Sequence, residues 1–234
     1  PLDAGTAGVV NGAYAAYNGG IQQAFTYLVA MTPMTQEMAD AEIAKRTITF
    51  AAGQNAVVIM DEDLTDLTAI NPGLISMRQT TADDLLLLAG SAFIGTLADP
   101  NNPGSINGVA VPLGDQWVLT PEEQLAIRTA TDAYNTTIAT VAGSNPNIAL
   151  VDLKGVLTEA SAGIQFDRYT MTTKLVTGGL VSLDGVHLTA RGYALMANKI
   201  LAAMDVEFGS NFTMATDGLA KAEDYPTNYS AMLR

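Results

Sequence analysis

An α/β fold is the class this sequence predicts, and three observations predict it. Hydrophobic residues make up 48% of the 234-residue chain, enough for a sizeable core. From Thr120 onward, segments with helical spacing alternate with short aliphatic runs. Between them stand Pro-, Gly- and Asn-rich breaks such as "GSNPN" and "ADPNNPGSING".

The elements follow in order. Tyr14, Tyr17, Ile21, Phe25 and Leu28 recur at helical spacing, although Gly19-Gly20 weakens the middle of that helix. A second helix is expected after Thr35, through "QEMADAEIAKR". "TITFAAGQNAVVIM" reads as two strands around a Gly-Gln-Asn break, in the manner of a hairpin. "DEDLTDLTAI" reads as an acidic turn or short helix, and "ADDLLLLAGSAFIG" as a buried apolar run too short to span a bilayer.

Thr120-Pro121-Glu122-Glu123 is a helix start, with threonine at the cap, proline first and glutamate third, for a helix running to about residue 142. "IALVDL" is expected as a buried strand, "KGVLTEASAG" as a short helix ended by Gly163, and "GIQFD" as a further strand. The last helix spans residues 189–204, with Tyr193, Met196, Ile200 and Met204 as its apolar stripe. The tail after Phe208 is turn-rich and is expected on the surface.

Composition excludes several functions. The net charge is −13, with 11 basic residues scattered along the chain. A broad nucleic-acid or anionic-membrane surface needs clustered Lys and Arg, so neither partner is expected. The chain has no cysteine and one histidine, which removes thiolate catalysis, disulfides and multi-histidine metal sites. No cofactor is expected. Residues 4–36 carry no formal charge, but their Asn, Gln and Gly content makes them a poor membrane segment, so no integral membrane segment is expected. The chain begins Pro1-Leu2-Asp3, which reads as a processed or truncated product. Asn135, Asn211 and Asn228 head N-x-S/T triplets, which are common by chance.

The single histidine lies in "SLDGVHLTARGYALMANKIL". Imidazole ionises near neutral pH, so it can take a proton from a serine hydroxyl. It then needs a carboxylate on Nδ1 to fix its tautomer. Asp184 and His187, three apart with Gly185 between them, fit that requirement on a tight turn before a helix. A capping aspartate beside a solvated histidine is the plainer account of a bare D-x-x-H.

The longer string "DGVHLTARGYALMANKI" resembles the last sequence block of the SGNH hydrolases, the GDSL esterase/lipase family, over residues 183–200. "NAVVIMDEDLTDL" and "LTPEEQLAIRTATDAYNTTI" are similar, more loosely, to a bacterial subgroup with a long insertion before the final blocks. The resemblance implies a Ser-His-Asp triad with His187 as base and Asp184 as its orienting acid. It implies the C-terminal part of a flavodoxin-like three-layer fold: residues 47–116 as insertion or lid, 117–208 as the α/β core and 209–234 as tail. It also implies a small ester or acylated substrate and an extracellular, periplasmic or cell-surface location.

The family's G-D-S nucleophile block is absent, as are a G-x-S-x-G elbow and a G-x-N-D block. Gly53-Gln54-Asn55 is the nearest match to the last, and a turn between strands is its better reading. Ser91, Ser105 and Ser182 are not in nucleophile contexts. The chain therefore reads as the base-bearing half of an ester hydrolase, requiring a missing N-terminal segment or a homo-oligomer partner. A non-catalytic SGNH-like binding or structural domain, and an unrelated domain in which Asp184 is only a cap, remain beside it.

Overall fold

The computed structural model describes residues 1–227. They divide into two units, Pro1–Ala130 and a second beginning at Thr131. Asn228 lies outside the described residues.

In the first unit, α1 (Ala4–Met31) starts at Asp3, whose carboxylate accepts from the backbone N–H and the hydroxyl of Thr6. Tyr14, Tyr17, Ile21 and Phe25 are buried, as their spacing requires. Gly19-Gly20 does not interrupt the helix. A Cβ on Gly20 would stand 2.8 Å from Leu74 Cδ2, so the missing side chain lets Leu74 close on α1. Helix α2 (Gln36–Arg46) is capped by Thr35 and ends on a fully buried Arg46. That guanidinium bonds Glu42 and the Thr65 carbonyl and lies over the Phe25 ring.

The hairpin expected around Gly53 does not form. Residues 47–50 belong to no sheet, because the amides of Asn11 and Asn18 on α1 take the backbone bonds of Ile48 and Phe50. Asn18 bonds both the N–H (3.0 Å) and the C=O (2.8 Å) of Ile48. Asn11 does the same for Phe50, at 2.8 and 2.9 Å. Strand β1 (Val58–Met60) pairs instead with β2 (Met77–Gln79), antiparallel, with Ile59 opposite Arg78. Arg78 is buried between Asp61 and Asp84, and its bond to Asp84 is two-pronged, at 2.8 and 2.7 Å.

The leucine run is a correction. Leu85, Leu86, Leu87 and Leu88 are all exposed, Leu88 to 68%. Strand β3 (Leu85–Leu86) pairs with only two residues, β4 (Val118–Leu119). The apolar packing of that region comes from Phe93 and Ile94, with Phe93 stacked on Trp117 at 4.8 Å. Residues 57–77 share one core with α1 and α2 through Val58, Leu67, Leu74 and Met77.

Helix α3 (Pro121–Gly143) begins as its sequence dictates. Thr120 Oγ1 accepts from the Glu123 N–H at 3.3 Å, and the Glu123 carboxylate accepts from the Thr120 N–H at 2.7 Å. The boundary between the units falls within this helix. Its apolar side chains Leu125, Tyr134, Ile138 and Val141 are exposed.

In the second unit, "IALVDL" is not a strand among the described residues. Residues 148–151 lie in no helix or strand, Ile148 and Leu150 are exposed, and the N–H groups of Ala149, Leu150 and Val151 have no partner among the described residues. Asp152 caps α4 (Leu153–Ala162), which ends at Gly163 with φ 123°. Strands β5 (Ile164–Phe166) and β6 (Tyr169–Met171) form an antiparallel hairpin. All three two-stranded sheets among the described residues are antiparallel, so the expected parallel sheet is absent there. The secondary structure is α/β in the general sense of mixed helices and small sheets.

Helix α5 (Ala190–Phe208) packs Ala194, Leu195 and Met196 inward. The stripe expected at Tyr193, Met196, Ile200 and Met204 is displaced, with Tyr193 and Ile200 exposed. The tail runs back along α5. Asn198 bonds the N–H and C=O of Ala220, and Arg191 Nε donates to the carbonyls of Ala222 and Tyr225. No described helix is long and apolar enough to cross a membrane.

Candidate active site: the Asp184–His187 loop

The loop from Leu180 to Thr189 is closed at its base. Val181 and Leu188 pair, the Ser182 N–H donates to the His187 carbonyl (2.8 Å), and the Thr189 N–H donates to the Leu180 carbonyl (2.9 Å). Gly185 takes φ 74°, a conformation that side chains disfavour, which turns the chain sharply between the two functional residues.

Thr189 is buried and does two jobs. Its hydroxyl donates to the Gly179 carbonyl at 2.7 Å and accepts from the Gly192 N–H at 3.0 Å, capping α5. Gly192 must then be small: a Cβ there would lie 2.5 Å from the Leu180 oxygen and 3.0 Å from Leu188 Cβ. Helix α5 thus presses its first turn directly against the base of the loop. The string H-L-T-x-x-G is the sequence of this joint.

On that base, His187 Nδ1 lies 2.7 Å from Asp184 Oδ2. Asp184 Oδ1 accepts three bonds: from Ser182 Oγ at 2.8 Å and from the N–H groups of Val186 and His187, each at 2.9 Å. These donors hold the carboxyl far below the usual carboxylate range. The Val186 amide contributes most, then the imidazole, the Ser182 hydroxyl and the His187 amide, against a small opposing desolvation. Asp184 is therefore an anion at neutral pH. In the neutral imidazole this carboxylate favours the tautomer that carries its proton on Nδ1, with the lone pair on Nε2. Nε2 has no hydrogen bond among the described residues, and the imidazole is 69% exposed.

No described serine hydrogen-bonds Nε2. Ser91 donates to the Leu88 carbonyl, Ser105 to the Asn102 carbonyl, and Ser182 to Asp184. Asn55 spends its amide on the N–H and C=O of Ala51, within the turn its sequence suggests. The structure brings Asp184 and His187 together on a turn, as their spacing requires, but not at the rim of a parallel sheet. Sequence reasoning missed Ser182 as part of the loop and Gly192 as the helix residue packed on its base. The signal for Gly192 was its place one turn into a helix, where glycine is costly unless something approaches closely.

One other group of carboxylates, Glu62, Asp115 and Glu123, gathers within 4.8 Å in the first unit. The Glu123 carboxylate is already bonded to the cap of α3, which accounts for its position.

Comparison with known proteins finds no matching family model, no matching curated protein and no matching solved structure.

Proposed function

We propose that this chain carries the base and orienting acid of a serine ester hydrolase of the SGNH (GDSL) type. The nucleophilic serine and the main oxyanion donors come from outside the described residues. The observation that carries the reading is the 2.7 Å Asp184–His187 pair, with Nδ1 committed to the carboxylate and Nε2 exposed. In the reaction, the serine Oγ attacks the ester carbonyl as its proton passes to Nε2. The leaving alcohol then takes that proton as the acyl-enzyme forms. Water, deprotonated in turn by Nε2, releases the carboxylic acid and restores the serine.

A second observation supports an incomplete fold. Residues 148–151 are apolar and lie in no helix or strand, the amides of Ala149, Leu150 and Val151 have no partner among the described residues, and Ile138, Ala139, Leu150 and Leu153 line a groove beside the Asp132–Lys154 ion pair. Backbone with unpaired amides of this kind can serve as a template for a neighbouring strand. In this reading residues 148–151 belong to a flavodoxin-like three-layer sheet whose other strands lie elsewhere, with residues 47–116 as its insertion. The unengaged Nε2 equally favours a non-catalytic domain that keeps the fold without the nucleophile.

One experiment separates the two. Hydrolysis of p-nitrophenyl acetate is measured for the full gene product, for this chain alone, and for the His187→Ala form of each. The hydrolase reading expects His187-dependent turnover in the full product and none in the chain alone. A full product that lacks His187-dependent turnover overturns it in favour of the binding domain. Turnover by the isolated chain that His187→Ala abolishes would place a nucleophile within these residues.

A further inference from the structure

Asp184 uses its two oxygens differently. Among the described residues Oδ2 serves His187 Nδ1 alone, while Oδ1 takes three donors. Two of those donors, the amides of Val186 and His187, lie on the same short turn as the carboxylate and travel with it. The third, Ser182 Oγ, comes from the base of the loop. Its own N–H is bonded to the His187 carbonyl, and its C=O accepts from the Gly185 N–H at 3.1 Å. Ser182 is therefore anchored where the two arms are tied together, and it is half-buried while Asp184 and His187 are exposed. A carboxylate–imidazole contact this exposed gains little from electrostatics alone, so its geometry must be imposed by neighbours.

We propose that Ser182 is a positioning residue for the Asp184–His187 pair, and not the nucleophile. Its hydroxyl fixes the plane of the Asp184 carboxylate so that Oδ2 meets the Nδ1 proton, holding the imidazole in the tautomer whose Nε2 accepts. The inference deepens the hydrolase reading and rests on it for the pair's purpose, but its physical content concerns the tautomer alone. Ser182 has one hydroxyl proton, and that proton points at Asp184. Nδ1 and Nε2 lie on different edges of the ring, so a serine bonded to the partner of Nδ1 is on the wrong side to give its proton to Nε2.

The sole histidine makes the test direct, because every imidazole nitrogen signal in a 15N-labelled sample belongs to His187. The wild-type chain is expected in the Nδ1–H form. In Ser182→Ala, the share of the Nε2–H form is expected to rise on the order of threefold, the loss of one modest hydrogen bond. Ser182→Thr, which keeps a hydroxyl at the same place, is expected to restore the wild-type spectrum. Backbone amide spectra of all three report whether the fold is retained. If the alanine form unfolds, Ser182→Cys, a weaker donor of similar size, takes its place in the comparison.

A tautomer ratio unchanged in Ser182→Ala overturns the proposal, since the two amides would then suffice. A shift that threonine fails to reverse overturns it as well, as does phosphonylation of Ser182 by a fluorophosphonate probe. Failure of the hydrolase reading would show as an inactive full product with this tautomer response intact. Failure of the present proposal would show as an indifferent tautomer whatever the activity.

Discussion

His187 Nδ1 meets Asp184 Oδ2 at 2.7 Å, while the N–H of the same His187 donates to Asp184 Oδ1 at 2.9 Å. One residue thus grips both oxygens of the other, through its ring and its backbone. The turn at Gly185 makes this double contact feasible over a separation of three residues.

That geometry decides what Asp184→Asn would do. Oδ1 faces three donors, so the asparagine oxygen would remain there and its NH2 would face the ring. A donor at that place forces Nδ1 to become an acceptor and puts the proton on Nε2. The expected result is inversion of the His187 tautomer, read from the imidazole 15N shifts, with the loop's amide spectrum otherwise conserved. In the full gene product, activity is expected to fall on the order of 10⁴-fold, the scale of a wrongly protonated triad histidine. An Asp184→Asn variant whose imidazole stays in the Nδ1–H form would refute the assignment of the two oxygens.

The acid behaviour of the loop follows from the lowered pKa of Asp184. A carboxyl depressed in the folded state adds stability that is in place above its unfolded value, about 4. That stability is lost as pH falls through the folded value. The loop is therefore expected to stay tied at about pH 4, where ordinary carboxylates are half protonated. Asp205 should behave alike: its burial raises the pKa, but bonds from Ser210, Thr213 and Phe212 outweigh it and hold the carboxyl low. Amide shifts of Val186 and Phe212 are the monitors. A midpoint near the ordinary carboxylate value at either amide contradicts the network around that carboxylate.

Two glycine substitutions, one at the joint between α5 and the loop and one in α1, should act with opposite sign. Gly192→Ala places a methyl 2.5 Å from a backbone oxygen, which must move, at a cost of about 1–3 kcal/mol. The displaced Leu180 carbonyl is the one that holds the Thr189 N–H, so the loop's amide signals should shift as well. Gly12→Ala, in α1 with open space around it, should stabilise by about 0.5–1 kcal/mol through helix propensity. Thermal unfolding of the two variants checks both signs.

What the sequence disclosed depended on how local the determining interaction is. The cap at Thr120, the Asp184–His187 contact and the apolar face of α1 are fixed by residues within one or two turns of each other, and they can be read from spacing. The exposed leucines at 85–88 and the displaced stripe of α5 depend on which distant segment arrives to cover them. Periodicity marks a face as apolar without saying whether a partner is present. Residues 148–151 make the same point more sharply, because an aliphatic run reads as a strand whether or not another strand lies beside it. Asn11 and Asn18 were legible only as reasons against a membrane helix. Their function, standing in for a β-strand against residues 48–50, is a contact across 30 or more positions.

Those two asparagines carry the last prediction. Ile48 is fully buried, and Asn18 satisfies both its N–H and its C=O. Asn18→Ala leaves both groups unpaired in the core of the first unit, at about 1–3 kcal/mol for each. Asn18→Asp keeps the acceptor for the Ile48 N–H but sets a carboxylate oxygen against the Ile48 carbonyl, so it should destabilise despite its near-identical shape. Asn18→Gln retains both groups on a longer stem and should recover little. Asn11 faces Phe50 in the same way, and its alanine variant should lose a comparable amount. Because the two sites anchor one extended segment, the double alanine variant should lose less than the sum: once one anchor is gone, residues 48–50 can lift toward water and the second loss costs less. Denaturant unfolding of the two single variants and the double gives the coupling directly. Strict additivity would mean that the segment is held by something other than this pair of amides.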